Sequence, residues 1–113
     1  MCSETVLHEI TSQVVKAARE ILGEKLDKVI LYGSYARGDF SEESDIDIMV
    51  LANISRNEAC RSDNELNKVA NDLGYAHDVI VSLFIKDCET FYKFLPVEPF
   101  YKNVMKEGVL LSA

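Results

Sequence analysis

Positive charge, cysteine and long apolar runs are all scarce in this chain, and each scarcity removes a class of function. Twelve lysines and arginines stand against nineteen aspartates and glutamates, for a net charge of −7. A protein that grips long nucleic acid through its phosphates needs a basic patch, so no long nucleic acid is expected as a partner. A nucleotide whose charge is carried by a cation stays open, and a basic protein partner would be favoured. Three cysteines, Cys2, Cys60 and Cys88, are odd in number and show no C-x-x-C spacing. A disulfide framework or zinc site is therefore not expected, and all three read as reduced thiols. No segment approaches the roughly 20 apolar residues of a membrane span. Met1-Cys2-Ser3-Glu4 carries neither the basic nor the apolar region of a signal peptide, so the expectation is no membrane and a cytoplasmic location. Internal repeats, linkers and low-complexity stretches are also missing, which leaves one domain over residues 1–113.

What is present is an ordinary globular balance, 48% apolar and 27% charged, in a length sufficient for one core. Leu7, Ile10, Val14, Ala18 and Ile21 recur at helical spacing behind Ser3, a candidate N-cap, and Gly23 stands just past the end. This predicts a helix from about Glu4 to Leu22. A short strand, Lys28 to Tyr32, delivers the chain to Gly33. A helical turn follows from Tyr35 to Gly38, then a polar loop, then a second strand from Asp45 to about Leu51. Ser55-Arg56-Asn57-Glu58 is a capping box whose helix Gly74 is placed to stop. Asp78 to Ile85 is rich in β-branched residues and reads as a third strand. Asp87 can cap another helix ending before Pro96. A last helix runs from Pro99 to Gly108, ahead of the apolar tail Val109-Leu110-Leu111. Helices alternate with strands, so the expected class is α/β: a small mixed sheet flanked by helices in two or three layers.

Within that order, Gly33-Ser34-Tyr35-Ala36-Arg37-Gly38 followed by Ser44-Asp45-Ile46-Asp47 says most about function. Glycine lacks the Cβ that would block a close approach, so such a turn can bring backbone N–H groups against a phosphate. Alternate strand positions face the same way with Cα atoms about 6.6 Å apart, so Asp45 and Asp47 can converge on hard cations. Two like charges at the start of a buried strand repel each other unless a cation or partner compensates them. Taken alone, the turn is an ordinary strand-to-helix connection and the carboxylates a solvated edge. Together, seven fixed positions would coincide by chance at about one in 10⁸ start sites, at roughly 7% usage per residue. The combination points to a metal-bound nucleotide triphosphate.

These residues resemble the signature of the polymerase-beta-like nucleotidyltransferase superfamily, and the short chain is most similar to its minimal nucleotidyltransferase branch (MNT), often encoded beside a helical HEPN partner. The resemblance spans residues 5 to 111, with the specific motif at 33 to 47. It implies that Gly33 and Ser34 hold the triphosphate. It also implies that Asp45 and Asp47 hold two magnesium ions and that a third aspartate on a later strand, Asp78 by position, completes the catalytic and metal-binding set. Asp72, Asp87 and Asp63 are its rivals, and His77 reads as a loop residue. Arg37 has two uses open to it, a phosphate or a pairing with Glu42 and Glu43. Gly38 supplies a backbone angle other residues resist, while Ser44 orders the turn before Asp45. Lys25, Lys28 and Lys68 read as solvated.

The implied activity is transfer of a nucleoside monophosphate, AMP from ATP, to a hydroxyl, by analogy a tyrosine of a cognate HEPN toxin, which makes this chain the antitoxin. One competing reading is a binding module that neutralises its partner by contact alone. Another is transfer to a small molecule such as an aminoglycoside, for which larger relatives use an extra domain. A homo-oligomer is open as well. Finally, Phe91, Tyr92, Phe94, Phe100 and Tyr101 place half of the ten aromatic residues in eleven positions around Pro96 and Pro99. One short helix interrupted by prolines cannot bury all five rings, so Phe91 and Phe94 are assigned to the core and Tyr92 and Tyr101 to a docking face.

Overall fold

Caps and apolar stripes set the helices. In the computed structural model, which describes residues 3–41 and 43–112, the Ser3 hydroxyl accepts from the Val6 N–H and opens α1 (Glu4–Leu22). A 3₁₀ turn (Gly23–Lys25) leads into β1 (Leu26–Tyr32), then α2 (Ser34–Arg37) and β2 (Ile46–Ala52). The Ser55 hydroxyl accepts from the Glu58 N–H at 3.2 Å and opens α3 (Arg56–His77). After β3 (Val81–Asp87), the Asp87 carboxylate accepts from the Thr90 N–H at 2.9 Å and caps α4 (Cys88–Phe94). Next, α5 (Pro99–Glu107) places a proline in its first turn, where a missing N–H costs nothing, and β4 (Val109–Ser112) ends the described chain.

The four strands form one mixed sheet in the order β3-β2-β1-β4. β1 pairs antiparallel with β2 and with β4, whereas β2 and β3 are parallel and joined through α3. Strand side chains alternate between faces. Val29 and Leu31, Ile48 and Val50, and Val81, Leu83 and Ile85 bury themselves in one cluster with Ile10, Val14 and Ala18 of α1 and Leu66 and Ala70 of α3. On the opposite face Ile30, Met49 and Leu51 pack against Cys88 and Phe91 of α4 and Val104 of α5. The result is three layers with a strand-rich centre. Phe91 is wholly buried; truncating it to alanine would cost about 3–5 kcal/mol.

Four expectations are corrected. Gly74 does not stop α3: it is a buried position inside the helix, where a Cβ would overlap the Val79 carbonyl. The returning chain needs that space, and the helix ends three residues later. Asp78 does not open β3; it is the α3 C-cap, in a left-handed conformation with φ 54°, and the strand begins at Val81. The tail is a sheet strand, because β1 offers it a free backbone edge. Phe94 is 42% exposed and so lies outside the core, while Phe91 lies within it.

Candidate active site

The antiparallel register of β1 and β2 sets Tyr32 opposite Asp47, which brings Gly33, the next residue, onto the Asp47 carboxylate. A Cβ at Gly33 would overlap the Asp47 Oδ2, and the residue has φ 76°, so both space and backbone angle call for glycine. From there α2 turns through one helical cycle. The Ser34 carbonyl accepts from the Gly38 N–H at 2.9 Å, and Gly38 closes the turn in the left-handed region. Tyr35 is buried beneath this turn and stacks on Phe40, with ring centroids 4.5 Å apart.

The second half of the motif approaches from the other side. The Ser44 hydroxyl accepts from the Ser41 N–H at 2.8 Å and orders the turn before Asp45. Asp45 precedes β2, and Asp47 is its second residue, on the face that carries Met49 and Leu51. Burial raises the pKa of Asp47 above the usual carboxylate value, the Asp45 charge raises it further, and Arg37 opposes them. Burial, and then Asp47, likewise push the Tyr32 hydroxyl up. Two carboxylates are therefore held together against their mutual repulsion. Such a donor set fits a hard cation that keeps water or substrate oxygens in its remaining positions.

Arg37 is exposed and pairs with Asp39 at 3.1 Å and with Glu107 of α5 at 3.4 Å. These replace the expected partners: no pairing with Glu43 is found, and Glu42 lies outside the described residues. A cleft of about 380 Å³ is lined by Tyr32, Gly33, Ser34, Arg37 and Asp47 from the motif side and by α5, including Phe100 and Asn103, from the other. Gly33, Ser34, Arg37 and Asp47 thus share one cavity, and Gly38 shapes it without lining it.

Asp78 is placed differently. It is exposed and lines a second, larger cleft of about 780 Å³ together with Asp45, Asn71 and Tyr75. Among the described residues no three His, Cys, Asp or Glu side chains are grouped to hold a metal, so Asp78 does not join Asp45 and Asp47 in a triad. In the parallel register the neighbour of Asp47 on β3 is Ser82. Asp63 and Asp72 stay on α3, and Asp87 caps α4. Sequence reasoning missed Ser82, Asn71 and Asn103, and it named Phe100 only as part of the aromatic segment, not as a wall of the cleft that holds Asp47. Strand register and helix packing reveal the first three, which no local pattern marks.

Other expectations fall out along the same face. Lys28 is not simply solvated: its Nζ donates to the Tyr92 hydroxyl at 2.9 Å, and that hydroxyl donates to Asp27 at 2.8 Å. Tyr92 is therefore engaged within the chain, and Tyr101 packs against the α4–α5 cluster. Cys60 and Cys88 are free thiols, as expected; Cys2 lies outside the described residues. No described helix is long and apolar enough to cross a membrane.

A mixed sheet that presents a Gly-Ser turn beside paired carboxylates is the arrangement of a nucleotidyl-transferring enzyme. Residues 12–111 match the family described as "Nucleotidyltransferase domain", and the chain belongs to that family. It is similar to two Methanocaldococcus jannaschii proteins named "Putative protein adenylyltransferase". One, MJ0141, is 38% identical over 68% of this chain and 76% of its own length. The other, MJ0604, is 30% identical over 88% and 91% respectively. Among solved structures, a toxin-antitoxin crystal structure with AMP-PNP is 25% identical with a TM-score of 0.56, over 91% of this chain and 73% of that one. A Sulfolobus solfataricus structure described as a "putative nucleotidyltransferase", 23% identical with a TM-score of 0.50 over 97% of this chain and 89% of that one, shares the fold. These likenesses place the chain among the minimal nucleotidyltransferases, and it is a nucleotidyltransferase enzyme.

Proposed function

We propose that this enzyme is a magnesium-dependent protein adenylyltransferase, moving AMP from ATP to a hydroxyl of a partner protein, a tyrosine of a HEPN toxin, and so acting as an antitoxin. The observation that carries this reading is the contact of the Gly33 backbone with the Asp47 carboxylate inside a cleft that also holds Ser34 and Arg37. Asp45 and Asp47 are the cation ligands. Ser34 and the Gly33 backbone face the β- and γ-phosphates, Gly38 sets the angle of the turn, and Arg37 offsets phosphate charge. The relatives named as protein adenylyltransferases support AMP and a protein acceptor, and the AMP-PNP complex of the toxin-antitoxin neighbour supports ATP as donor.

In the reaction the acceptor hydroxyl gives up its proton to solvent and its oxygen attacks the α-phosphorus; that P–O bond forms as the bond from the phosphorus to the bridging oxygen breaks, releasing pyrophosphate. Asp45 and Asp47 would hold magnesium, which would help the attacking hydroxyl lose its proton and would neutralise charge on the leaving oxygens. The residues of this chain orient the donor: Asp45 and Asp47 from one side, Ser34 and Arg37 from the other. A pair of carboxylates, Asp45 and Asp47, suits a cation whose shell is completed by phosphate oxygens.

The test is incubation with magnesium and labelled ATP, with and without the protein encoded beside it. Label should appear on that protein and vanish in Asp45→Asn/Asp47→Asn, which should remain folded. ATP with magnesium should raise the melting temperature, with about 2.7 kcal/mol available at a hundredfold excess over Kd. Full transfer by the double variant would refute the reading. Neutralisation of the partner without any label would instead identify a contact-only antitoxin.

A further inference from the structure

The carboxylate pair has a cleft on each side, and the two clefts differ in charge. On the β1 side, the cleft holding Asp47 contains the Gly33-Ser34 turn and Arg37, whose cation faces Asp47 and Glu107 there and offsets one of those two carboxylates. On the β3 side, the 780 Å³ cleft holding Asp45 also contains Glu43 and Asp78, and among the described residues no lysine, arginine or histidine lines it. A triphosphate placed among three carboxylates without a cation would be repelled. The donor therefore belongs in the Arg37 cleft. In-line displacement puts the attacking oxygen opposite the leaving pyrophosphate. With the sheet ordered β1-β2-β3 and the phosphates at the end of β1, that opposite side is the β3 cleft.

The walls of this second cleft suit a polypeptide. Asn71 and Tyr75 stand one helical turn apart on α3. The Asn71 amide can both donate to and accept from a peptide bond. Tyr75 is 91% exposed, an aromatic face on which the stem and charge of a lysine or arginine can rest. We infer that the larger cleft, between the C-terminal turns of α3 and the Glu43–Asp45 segment, seats the acceptor, and that the acceptor hydroxyl lies on a segment rich in lysine or arginine. This rests on the reading of the chain as a protein adenylyltransferase, which it deepens by naming the acceptor class and its seat.

The test uses two fluorescent peptides, each with one central tyrosine, flanked by lysines in one and by glutamates in the other. Their binding to the protein with magnesium and AMP-PNP is followed by anisotropy. The lysine peptide should bind about tenfold tighter at low salt, and added salt should erode the difference. Asp78→Lys should weaken that binding about three- to tenfold, whereas Glu20→Lys, the same change of charge on exposed α1, should not. Tyr75→Ala should weaken it similarly. Neither Asp78→Lys nor Tyr75→Ala should alter AMP-PNP affinity. Equal binding of both peptides, equal effects of Asp78→Lys and Glu20→Lys, or displacement of the lysine peptide by AMP-PNP would each overturn the inference. If the peptide result holds but no label is ever transferred, the adenylyltransferase reading fails and the basic-peptide cleft stands.

Discussion

Ser82 stands beside Asp47 in the parallel register of β2 and β3. Val81 and Leu83 on either side of it point into the α1–α3 core, so by strand alternation Ser82 faces the same side of the sheet as Asp47. Where a third carboxylate would complete a cation site, this chain has a hydroxyl. Ser82→Asp should therefore lower the melting temperature of the metal-free protein, because a third negative charge joins Asp45 and Asp47. Millimolar magnesium should restore it by more than it shifts the wild type, since three converging oxygens hold the ion better than two. Identical magnesium responses in variant and wild type would show that position 82 does not reach the carboxylate pair.

Gly33→Ala tests the contact from the opposite strand. The methyl group would overlap the Asp47 carboxylate, and alanine resists φ 76°. Stability should fall by about 1–3 kcal/mol, and nucleotide binding should fall with it. Gly23→Ala is the comparison: the residue also has positive φ, but a Cβ there meets nothing. It should lose stability through backbone strain alone and keep ATP binding. Unchanged ATP affinity in a folded Gly33→Ala variant would place the phosphates elsewhere.

Tyr35 carries a buried hydroxyl with no hydrogen-bond partner among the described residues. Leaving such a group unpaired costs about 1–3 kcal/mol of desolvation, so Tyr35→Phe should fold with equal or higher stability in urea titration. Its stacking on Phe40 would be kept. A loss above about 1 kcal/mol would mean that the hydroxyl is satisfied by ordered water.

Cys88 supplies a pH dependence whose sign can be worked out. Burial first, then the charge of Asp27 and a hydrogen bond with it, push the thiol up from its ordinary value to about 11. The folded state thus holds the proton more tightly than the unfolded chain. Its contribution is fully present below about pH 9 and is lost as pH rises toward 11. Cys88→Ala should be less stable at neutral pH but should show a shallower decline across that window. At pH 8 a haloacetamide should label the exposed Cys60 well before Cys88. Comparable labelling of the two in the folded protein would remove the premise.

Local chemistry was legible in the sequence because it is completed within a few residues. Ser3, Ser55 and Asp87 each accept from a backbone N–H three residues on, so the helix starts could be read directly. The Gly-Ser turn and the carboxylate spacing belong to the same class, since a positive φ and strand alternation are properties of a short segment. Gly74 and Asp78 show where this stops. A glycine after an apolar stripe reads as a helix end, but here the helix runs on to a C-cap at Asp78, and the Val79 carbonyl, on the way from α3 into β3, occupies the space a Cβ at Gly74 would take. The third strand then begins at Val81, and its register, set by burial of Val81, Leu83 and Ile85 against α1 and α3, places Ser82 beside Asp47. Pairings between residues 35 apart in the chain depend on how two strands and a helix pack. That packing alone set which side chains share the carboxylates' two clefts.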